Sequence, residues 1–303
     1  MSRRRQGATV FLVGPARSGT SLLYKALCLH PDVAYLSNYL RRSPRVPQLA
    51  VLDRLARALP EARRAVWFGA DSNAYVFGSK RSPLRRAFPM PMEGEPVFRA
   101  CGFPEYPWEA PAPLSLRRAR LGRTFDTVRR ASGAGTVVNK RIAHNWRIPL
   151  LAETLPDSRF VATVRDGRAV ASSLSRVDWW ETSVAFWYGG TPREWEAEGR
   201  DPWEMCARNW VEEVRAIDEG LAGVPADQVL RVSYEGFVAA PLDTLRSIAG
   251  FAGLPVDADW EVELSRLRFP DKNDAWRRQL DPTAITTIED VQRDALAGHG
   301  YSL

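Results

Sequence analysis

The chain has 303 residues, of which 45% are hydrophobic and 26% charged, a composition typical of a globular protein with a large core. Its net charge of +6 is mostly arginine, since only four residues are lysine, and in the absence of a nucleic-acid motif this favours a small polyanionic ligand. Three widely spaced cysteines argue against a disulfide framework or a zinc site, and no apolar run reaches the length of a membrane span.

The first seven residues carry three arginines, and the apolar run that follows them is too short for a signal peptide. We interpret residues 1–7 as a loose tail. We expect a cytoplasmic protein that engages neither a membrane nor nucleic acid. Residues 1–303 are expected to form one domain, and assembly into a homodimer is left open.

The first predicted unit is a strand, a loop of small residues and a helix. Residues 9–13 are a short apolar run typical of a buried parallel strand, residues 14–21 form the loop, and apolar side chains recur at helical spacing from Leu22 onward. A loop of this kind gathers backbone N–H groups and a helix N-terminus around one point. The unit therefore favours an anion, usually a phosphate.

The loop almost matches the P-loop of nucleoside triphosphatases, G-x-x-x-x-G-K-[ST]. Gly14, Gly19 and Ser21 fit the spacing, but Thr20 stands where the motif has the lysine that reaches the β- and γ-phosphates. Arg17 supplies a cation earlier in the loop. The sequence predicts a site for a single activated phosphate with Arg17 beside the bond that breaks, and the alternative is a tight turn that binds nothing.

Residues 40–130 are the least regular part of the chain. Arginine-rich helices are predicted at 49–64 and 116–130, and residues 83–113 between them contain many prolines and glycines and are expected to be mostly loop. We interpret residues 40–130 as an insertion that forms a lid and shapes an acceptor site.

Regular structure returns after Gly135. Strands are predicted at 136–139, 159–164 and 228–232, and helices at 148–155, 202–221, 242–251 and 282–298. Strands separated by helices predict an α/β fold with a parallel sheet and right-handed crossovers. Because ligands of such sheets bind at the carboxyl ends of the strands, the loops that follow the strands should meet at one edge.

A second strand–loop–helix unit repeats the first. The strand at 159–164 leads into Arg165, Asp166, Gly167 and Arg168, and Asp166 is suited to cap the helix that follows. Both units therefore place arginines at the anion-binding end of the sheet. Arg168 has two equal interpretations, a phosphate ligand or an ion pair at the helix start.

The two loops together resemble those of the sulfotransferases that use 3′-phosphoadenosine 5′-phosphosulfate. They read GPARSGTSLL and VRDGRAVASSL, in the order in which that family has its two phosphate motifs. The resemblance extends to Tyr234-Glu235, to residues 276–278 and to the closing Gly300-Tyr301, and is weakest over residues 40–130. It implies a P-loop-like three-layer fold, a central parallel sheet flanked by helices, with the insertion as a lid.

The resemblance also implies a role for each matching residue. The match to the 5′-phosphosulfate loop comprises Arg17, Ser18, Gly19, Thr20 and Ser21. Within it, Arg17 stands at the bridging oxygen, and Lys140 stands where the family has a lysine near the transferring sulfuryl group. Arg165 and Ser173 match the pair that holds the 3′-phosphate, and Tyr234 the residue against the adenine. The segment that closes over the nucleotide is matched by Trp276, Arg277 and Arg278.

The implied chemistry agrees with these residue types. Sulfuryl transfer is similar to phosphoryl transfer, in which an acceptor attacks in line and charge grows on the leaving phosphate oxygen, so that positioning and charge stabilisation dominate. Arg17 and Lys140 would supply the charge that magnesium supplies for ATP, and no metal is predicted. The predicted acceptor is a hydroxyl of a small molecule, with an amine as the weaker alternative.

The chain departs from the family at the general base. One branch has a histidine where this chain has Ile142, and another has a glutamate where it has Asn38. His144 has a suitable side chain and is our catalytic candidate, and a loop histidine bonded to backbone is the equal alternative. The other candidates are Glu93, Glu95 and Asp178.

Aromatic residues near these candidates suggest an acceptor pocket. Trp179 and Trp180 cannot both point inward, and with Phe98, Phe103 and Trp108 they could build a flat apolar surface. Two other functions are kept open: a P-loop-type kinase or nucleotide hydrolase, and a non-catalytic nucleotide-binding relative.

Overall fold

The computed structural model describes residues 8–69 and 86–303, so the tail predicted at residues 1–7 and part of the predicted insertion lie outside the described residues. At its centre is an all-parallel sheet with the strand order β2-β3-β1-β4-β5. The strands are β1 (Thr9–Val13), β2 (Val33–Ala34), β3 (Thr136–Lys140), β4 (Arg159–Val164) and β5 (Val229–Ser233). Leu12 of β1 is in register with Lys140 on one side and Val161 on the other, so the loops after these strands leave the same edge.

Helices cover both faces of this sheet. They are α1 (Thr20–Leu27), α2 (Asn38–Arg42), α3 (Asp53–Ala58), α4 (Pro60–Phe68), α5 (Glu95–Ala100), α6 (Leu114–Ser132), α7 (His144–Thr154), α8 (Gly167–Leu174), α9 (Pro192–Ala197), α10 (Pro202–Ala222), α11 (Tyr234–Ala239), α12 (Pro241–Ala252), α13 (Ala258–Ser265), α14 (Trp276–Gln279) and α15 (Pro282–Gly298). Short 3₁₀ turns occur at Pro47–Leu52, Trp180–Thr182, Ala226–Gln228 and Asn273–Ala275.

The central strand β1 is buried on both sides. Val10 and Leu12 pack into a core with α1 and α12, whereas Phe11 and Val13 pack into a second core with α6 and α7. A strand covered on both faces needs apolar residues throughout, which is why β1 shows no alternation with polar residues. The predicted α/β fold with a central parallel sheet between helical layers is confirmed.

Several predicted boundaries differ from the structure. The two-residue strand β2 and the short helix α5 were not predicted, and the helix expected at 49–64 is divided into a 3₁₀ turn, α3 and α4, with Pro60 at the start of α4. Helix α7 begins at His144 rather than at residue 148 and contains Pro149. Among the described residues, no helix combines the length and the apolar character needed to cross a bilayer.

Candidate active site

The loop between β1 and α1, residues 14–19, is held from behind by buried polar side chains. Gly14 N–H donates to Asn145 Oδ1 at 2.9 Å and Ala16 N–H donates to Glu213 Oε2 at 2.9 Å. The Asn145 amide donates in turn to Gly14 O at 3.1 Å and to Glu213 Oε2 at 3.0 Å. These bonds occupy the N–H groups of the first half of the loop, so an anion must be bound by the second half.

The second half of the loop presents donors. Arg17 has φ 68° and Gly19 has φ 76°, and Arg17 is the one non-glycine residue with a positive φ in the described part of the chain. Within that part, the N–H groups of Gly19, Thr20 and Ser21 donate no hydrogen bond, as is normal for the first turn of a helix. The buried Ser18 hydroxyl also has no hydrogen-bond partner among the described residues. Such a turn fits an anion.

The second motif contributes cations to the same place. Arg17 Nε donates to Ser173 Oγ at 2.9 Å, and Arg165 Nη1 donates to Arg17 O at 2.9 Å. Burial, followed by the nearby charges of Arg165 and Arg176, lowers the pKa of Arg17. The two predicted phosphate motifs therefore meet, and their clustered positive charge favours an anionic ligand.

Tyr234 closes one side of this cluster. Its ring centroid lies 4.2 Å from the Arg165 guanidinium carbon, and a Cβ atom added at Gly19 would lie 2.7 Å from its Cδ2. Arg165 also donates to Asn273 Oδ1 at 3.1 Å and to Lys272 O at 2.9 Å. The late segment that contains residues 272–279 therefore lies against the second motif.

Trp276 of this late segment is buried, and two guanidinium groups lie close to its ring. Arg168 lies 4.9 Å and Arg277 4.5 Å from its ring, and its indole N–H has no hydrogen-bond partner among the described residues. Arg277 and Arg278 are exposed, and Arg277 Nε lies 3.2 Å from Asp274. The predicted nucleotide-closing segment is thus next to the arginine cluster.

Arg168 has a structural role. It lies 2.8 Å from Asp166 and 3.0 Å from Glu289, and its side chain is buried. Asp166 also accepts from Arg168 N–H and caps α8. The ion-pair interpretation of Arg168 is confirmed, because both of its carboxylate partners come from the protein itself.

Lys140, at the end of β3, belongs to a cluster of ion pairs. Its Nζ atom lies 2.6 Å from Glu93 Oε1, and Arg141 Nη1 lies 2.6 Å from Glu93 Oε2. Glu95 binds Arg141 at 3.1 Å and the fully buried Arg147 at 2.7 Å. Burial would raise the pKa of Glu93, but the two cations beside it hold that pKa at about 2.

The structure corrects the prediction for His144. Its side chain has no exposed surface, its Nε2 atom lies 2.7 Å from Asn139 Oδ1, and its ring packs 4.6 Å from that of Phe98 and 5.3 Å from that of Phe11. Burial and three nearby cations lower its pKa well below the ordinary value. In this structure His144 is a core residue with no exposed surface for an acceptor to contact, so its position does not support a role as the base.

The aromatic prediction was right in one part and wrong in another. Trp180 is 7% exposed and Trp179 is 40% exposed, so the pair does point in different directions. Phe98 and Phe103 lie in the core around the sheet rather than in a cleft. Trp108 is 55% exposed and stacks on Tyr106, so the flat acceptor surface built from all of these residues is not present.

Asn145 and Glu213 shape the site but carry no sequence signal. Glu213 contacts a loop residue 197 positions away in the chain, and burial raises its pKa to about 7 in spite of its hydrogen bonds to Ala16, Asn209 and Asn145. In the sequence, Glu213 is simply one acidic residue of an amphipathic helix. Only the tertiary structure brings Glu213 behind the loop between β1 and α1.

Comparison with known proteins agrees with this geometry. The sequence profile described as the sulfotransferase family matches residues 9–258, which contain both loops, Lys140 and Tyr234. The chain belongs to the sulfotransferase family. The family predicted from the sequence is therefore confirmed.

Two curated relatives of this chain are mycobacterial sulfotransferases. The omega-hydroxy-beta-dihydromenaquinone-9 sulfotransferases Stf3 of Mycobacterium bovis and Mycobacterium tuberculosis are each 25% identical over 285 residues, or 86% of this chain and 65% of their own length. The chain thus spans about two thirds of these relatives. Sulfotransferase STF9 of Mycobacterium avium has a TM-score of 0.60 at 16% identity, over 98% of this chain and 78% of that one.

A second solved structure matches in length as well as in fold. The sulfotransferase domain of the curacin biosynthetic pathway has a TM-score of 0.53 at 13% identity. The match covers 99% of this chain and 99% of that one. At this identity the likeness concerns the fold.

Proposed function

We propose that this chain transfers a sulfuryl group from 3′-phosphoadenosine 5′-phosphosulfate to a hydroxyl group of a small molecule. The observation that carries the proposal is the convergence of Arg17, Ser173 and Arg165, which join the two phosphate motifs by hydrogen bonds of 2.9 Å. The family membership supports the reaction class. An amine is the weaker alternative as acceptor.

The residues present fit such a donor. The buried Ser18 hydroxyl and the Trp276 indole N–H are polar groups without a partner among the described residues, and burying them is costly unless a ligand binds them. Ser18, Thr20 and Ser21 with the adjoining N–H groups would hold the 5′-phosphosulfate. Arg165 and Ser173 would hold the 3′-phosphate.

Aromatic residues would complete the nucleotide site. Tyr234 already stacks on the Arg165 guanidinium, and it would present the rest of its ring to the adenine. Trp276, with the exposed Arg277 and Arg278 beside it, would cover the nucleotide from the other side. These roles require no further residue from the predicted lid.

The charges in the site suit the reaction. The donor would supply an activated sulfuryl group. Its leaving group would be the 5′-phosphate of adenosine 3′,5′-bisphosphate. Arg17, whose pKa is lowered but whose guanidinium stays charged, would stabilise the negative charge that grows on the leaving oxygen. Lys140 would neutralise charge on the sulfuryl oxygens. Preorganised cations in a buried site are effective because they need no rearrangement during the reaction.

The acceptor proposal rests on the relatives. The mycobacterial Stf3 proteins are named for a hydroxy-substituted dihydromenaquinone, which supports a hydroxyl group as the acceptor here. The cytoplasmic location and the homodimer stay predictions.

The proposal is tested by binding of adenosine 3′,5′-bisphosphate, the product nucleotide, measured by thermal shift. At 100 times its dissociation constant it should stabilise the chain by about 2.7 kcal/mol. We expect Arg165→Ala to abolish the shift and Arg231→Ala to retain it, since Arg231 pairs with Asp218 on the surface. Stabilisation by magnesium-ATP alone would support the kinase alternative. Bisphosphate binding without transfer to any hydroxyl would support the non-catalytic one.

A further inference from the structure

Glu93 lies on a segment that crosses the carboxyl edge of the sheet. We call residues 86–94 the strap. Its Met92 N–H donates to Leu36 O at 2.7 Å, and Asn139 Nδ2 donates to Glu93 O at 3.2 Å. Leu36 follows β2 and Asn139 is in β3, so one backbone bond and one side-chain bond fix the strap at the end of both strands. Glu93 is thereby held at the edge where the two phosphate motifs lie.

Asn38 anchors the same strap, and its side-chain amide makes all three of its hydrogen bonds to the strap backbone. Its side-chain amide donates to Arg86 O at 3.1 Å and to Phe88 O at 3.2 Å, and its Oδ1 accepts from Met90 N–H at 3.1 Å. A carboxylate at this position would face two backbone carbonyl oxygens. The asparagine therefore positions the strap and has no free group for an acceptor.

The remaining candidates for the base differ from Glu93 in what they contact. Glu95 accepts hydrogen bonds from the entirely buried Arg147 with both of its oxygens, so neither oxygen is without a partner. Asp178 is exposed, and among the described residues it forms no ion pair with Lys140. Glu93 alone of these carboxylates touches the lysine at the proposed transfer centre.

Glu93 is also partly accessible. Its side chain is 15% exposed, whereas that of Lys140 is 4% exposed. Other charged groups around the pair are Arg141, which follows β3, and Glu95 at the start of α5. Three further charged groups act on this cluster: Arg147 on α7 pairs with Glu95, Arg41 on α2 lies near Arg141, and Glu213 on α10 lies near Lys140.

We propose that Glu93 is the base of the transfer, and that before the donor binds it is the counter-ion of Lys140. This inference rests on the proposed function. The acceptor oxygen forms a bond to sulfur while the bond from sulfur to the phosphate oxygen breaks. The leaving phosphate oxygen keeps the electron pair, and the hydroxyl proton passes to the Glu93 carboxylate and then to water.

Binding of the donor would make Glu93 more basic. A sulfuryl group beside Lys140 competes with Glu93 for the same ammonium group. Weakening of the Glu93–Lys140 pair removes one of the two cations that hold the pKa of Glu93 at about 2. The carboxylate would then bind a proton more readily at the moment when the reaction needs it.

The first test measures proton uptake on binding, without turnover. The donor is titrated into the protein by calorimetry at pH 5 in two buffers of different ionisation enthalpy, with no acceptor present. We expect wild type to take up more protons than Glu93→Gln, and Asp178→Asn to behave as wild type. Equal uptake by wild type and Glu93→Gln would overturn the proposal.

The second test compares two acceptors, a primary alkyl alcohol and the acidic phenol 4-nitrophenol. General-base catalysis contributes about 100-fold or more, so we expect Glu93→Gln to lose at least that in kcat with the alcohol. With the phenol, whose proton leaves easily, the loss should be less than tenfold. Binding of adenosine 3′,5′-bisphosphate should be unchanged in the variant, which separates this proposal from the proposed function.

Arg141→Gln is the control for an anchoring role. It breaks ion pairs of both Glu93 and Glu95 but leaves the Glu93 carboxylate beside Lys140. If Glu93 only anchors the strap, Arg141→Gln will be as slow as Glu93→Gln, and both will be equally slow with the two acceptors. That outcome would overturn the proposal, whereas a selective loss with the alcohol in Glu93→Gln supports it.

Discussion

Single residues of the phosphate loop are constrained by backbone conformation and by close packing. Arg17 has a positive φ of 68°, which costs a residue with a Cβ atom about 1–2 kcal/mol. Its carbonyl oxygen accepts from Arg165 and its side chain donates to Ser173, and these contacts hold the unfavourable conformation. The strained residue is the one proposed to contact the bridging oxygen, in agreement with the tendency of strain to occur at functional sites.

Gly19→Ala should impair both folding and donor binding. The substitution places a Cβ at φ 76° and 2.7 Å from Tyr234, so we expect the free energy of unfolding to fall by about 1–2 kcal/mol or more. The affinity for adenosine 3′,5′-bisphosphate should fall at least tenfold because Tyr234 must move. Chemical denaturation and calorimetry would measure the two effects.

Gly250→Ala is the matched control. Gly250 is in helix α12 and has nothing within 4 Å of an added Cβ. Alanine there should raise the free energy of unfolding by about 0.5–1 kcal/mol and leave binding unchanged. If both variants bind adenosine 3′,5′-bisphosphate equally well, the close packing of Gly19 against Tyr234 is not needed for nucleotide binding.

At the scale of elements, α7 and α10 hold the phosphate loop in place. Asn145 on α7 and Glu213 on α10 bind each other and the backbone of Gly14 and Ala16. Gly220 of α10 allows the two helices to approach, since a Cβ there would lie 2.9 Å from Ile148 of α7. The loop proposed to bind the donor therefore depends on the packing of two helices that are distant in the sequence.

Glu213→Gln should change how stability depends on pH. Burial raises the pKa of Glu213 to about 7, above the ordinary value that it regains on unfolding. Between about pH 4.5 and 7 the folded chain retains a proton that the unfolded chain loses. The wild-type free energy of unfolding should therefore fall over this window by up to about 3 kcal/mol, and stay level above it.

The glutamine variant should lack this decline, so its free energy of unfolding relative to wild type should rise with pH across the window. The variant loses one hydrogen bond. In the wild type Glu213 Oε1 accepts from the Asn209 amide, and in the variant the glutamine NH₂ group faces that same donor. Urea denaturation at pH 5 and pH 7.5 measures the difference. A constant offset between the two proteins would show that Glu213 titrates normally in the fold.

At the scale of the whole molecule, the last residues of the chain return to the sheet. Tyr301 OH donates to Glu235 Oε2 at 3.0 Å, and Glu235 Oε1 accepts from Asp166 N–H at 3.1 Å. Burial and Glu235 raise the pKa of Tyr301, so its hydroxyl stays a donor at ordinary pH. The chain end thereby fixes the loops after β4 and β5, which carry Arg165 and Tyr234.

Tyr301→Phe should lower the free energy of unfolding by about 1–2 kcal/mol, because it removes a hydrogen bond to a carboxylate. It should also weaken bisphosphate binding, since Asp166 follows Arg165 directly. Tyr188→Phe is the control, because the Tyr188 hydroxyl donates to Glu198 at the surface. This substitution should change the free energy of unfolding by less than about 0.5 kcal/mol. Equal effects in the two variants would contradict a role for the chain end.

Predictions from the sequence succeeded where the signal was local. The strand at Thr9–Val13 has the predicted bounds, since a buried strand needs an apolar run. The helix at Pro202 has the predicted start, since a helix start needs a cap. Predictions failed for α5 and for the division of residues 49–64, because a short helix among prolines is stabilised by contacts that no local pattern shows.

The sequence alone determined the fold class and the family and predicted two phosphate motifs, because loop geometry and helix capping depend on adjacent residues. The tertiary structure decided which polar side chains serve the site. It placed His144 in the core, Glu213 behind the loop and Glu93 on Lys140. Burial and pairing between distant residues set the ionisation of each group, and neither can be read from a residue's neighbours in the chain.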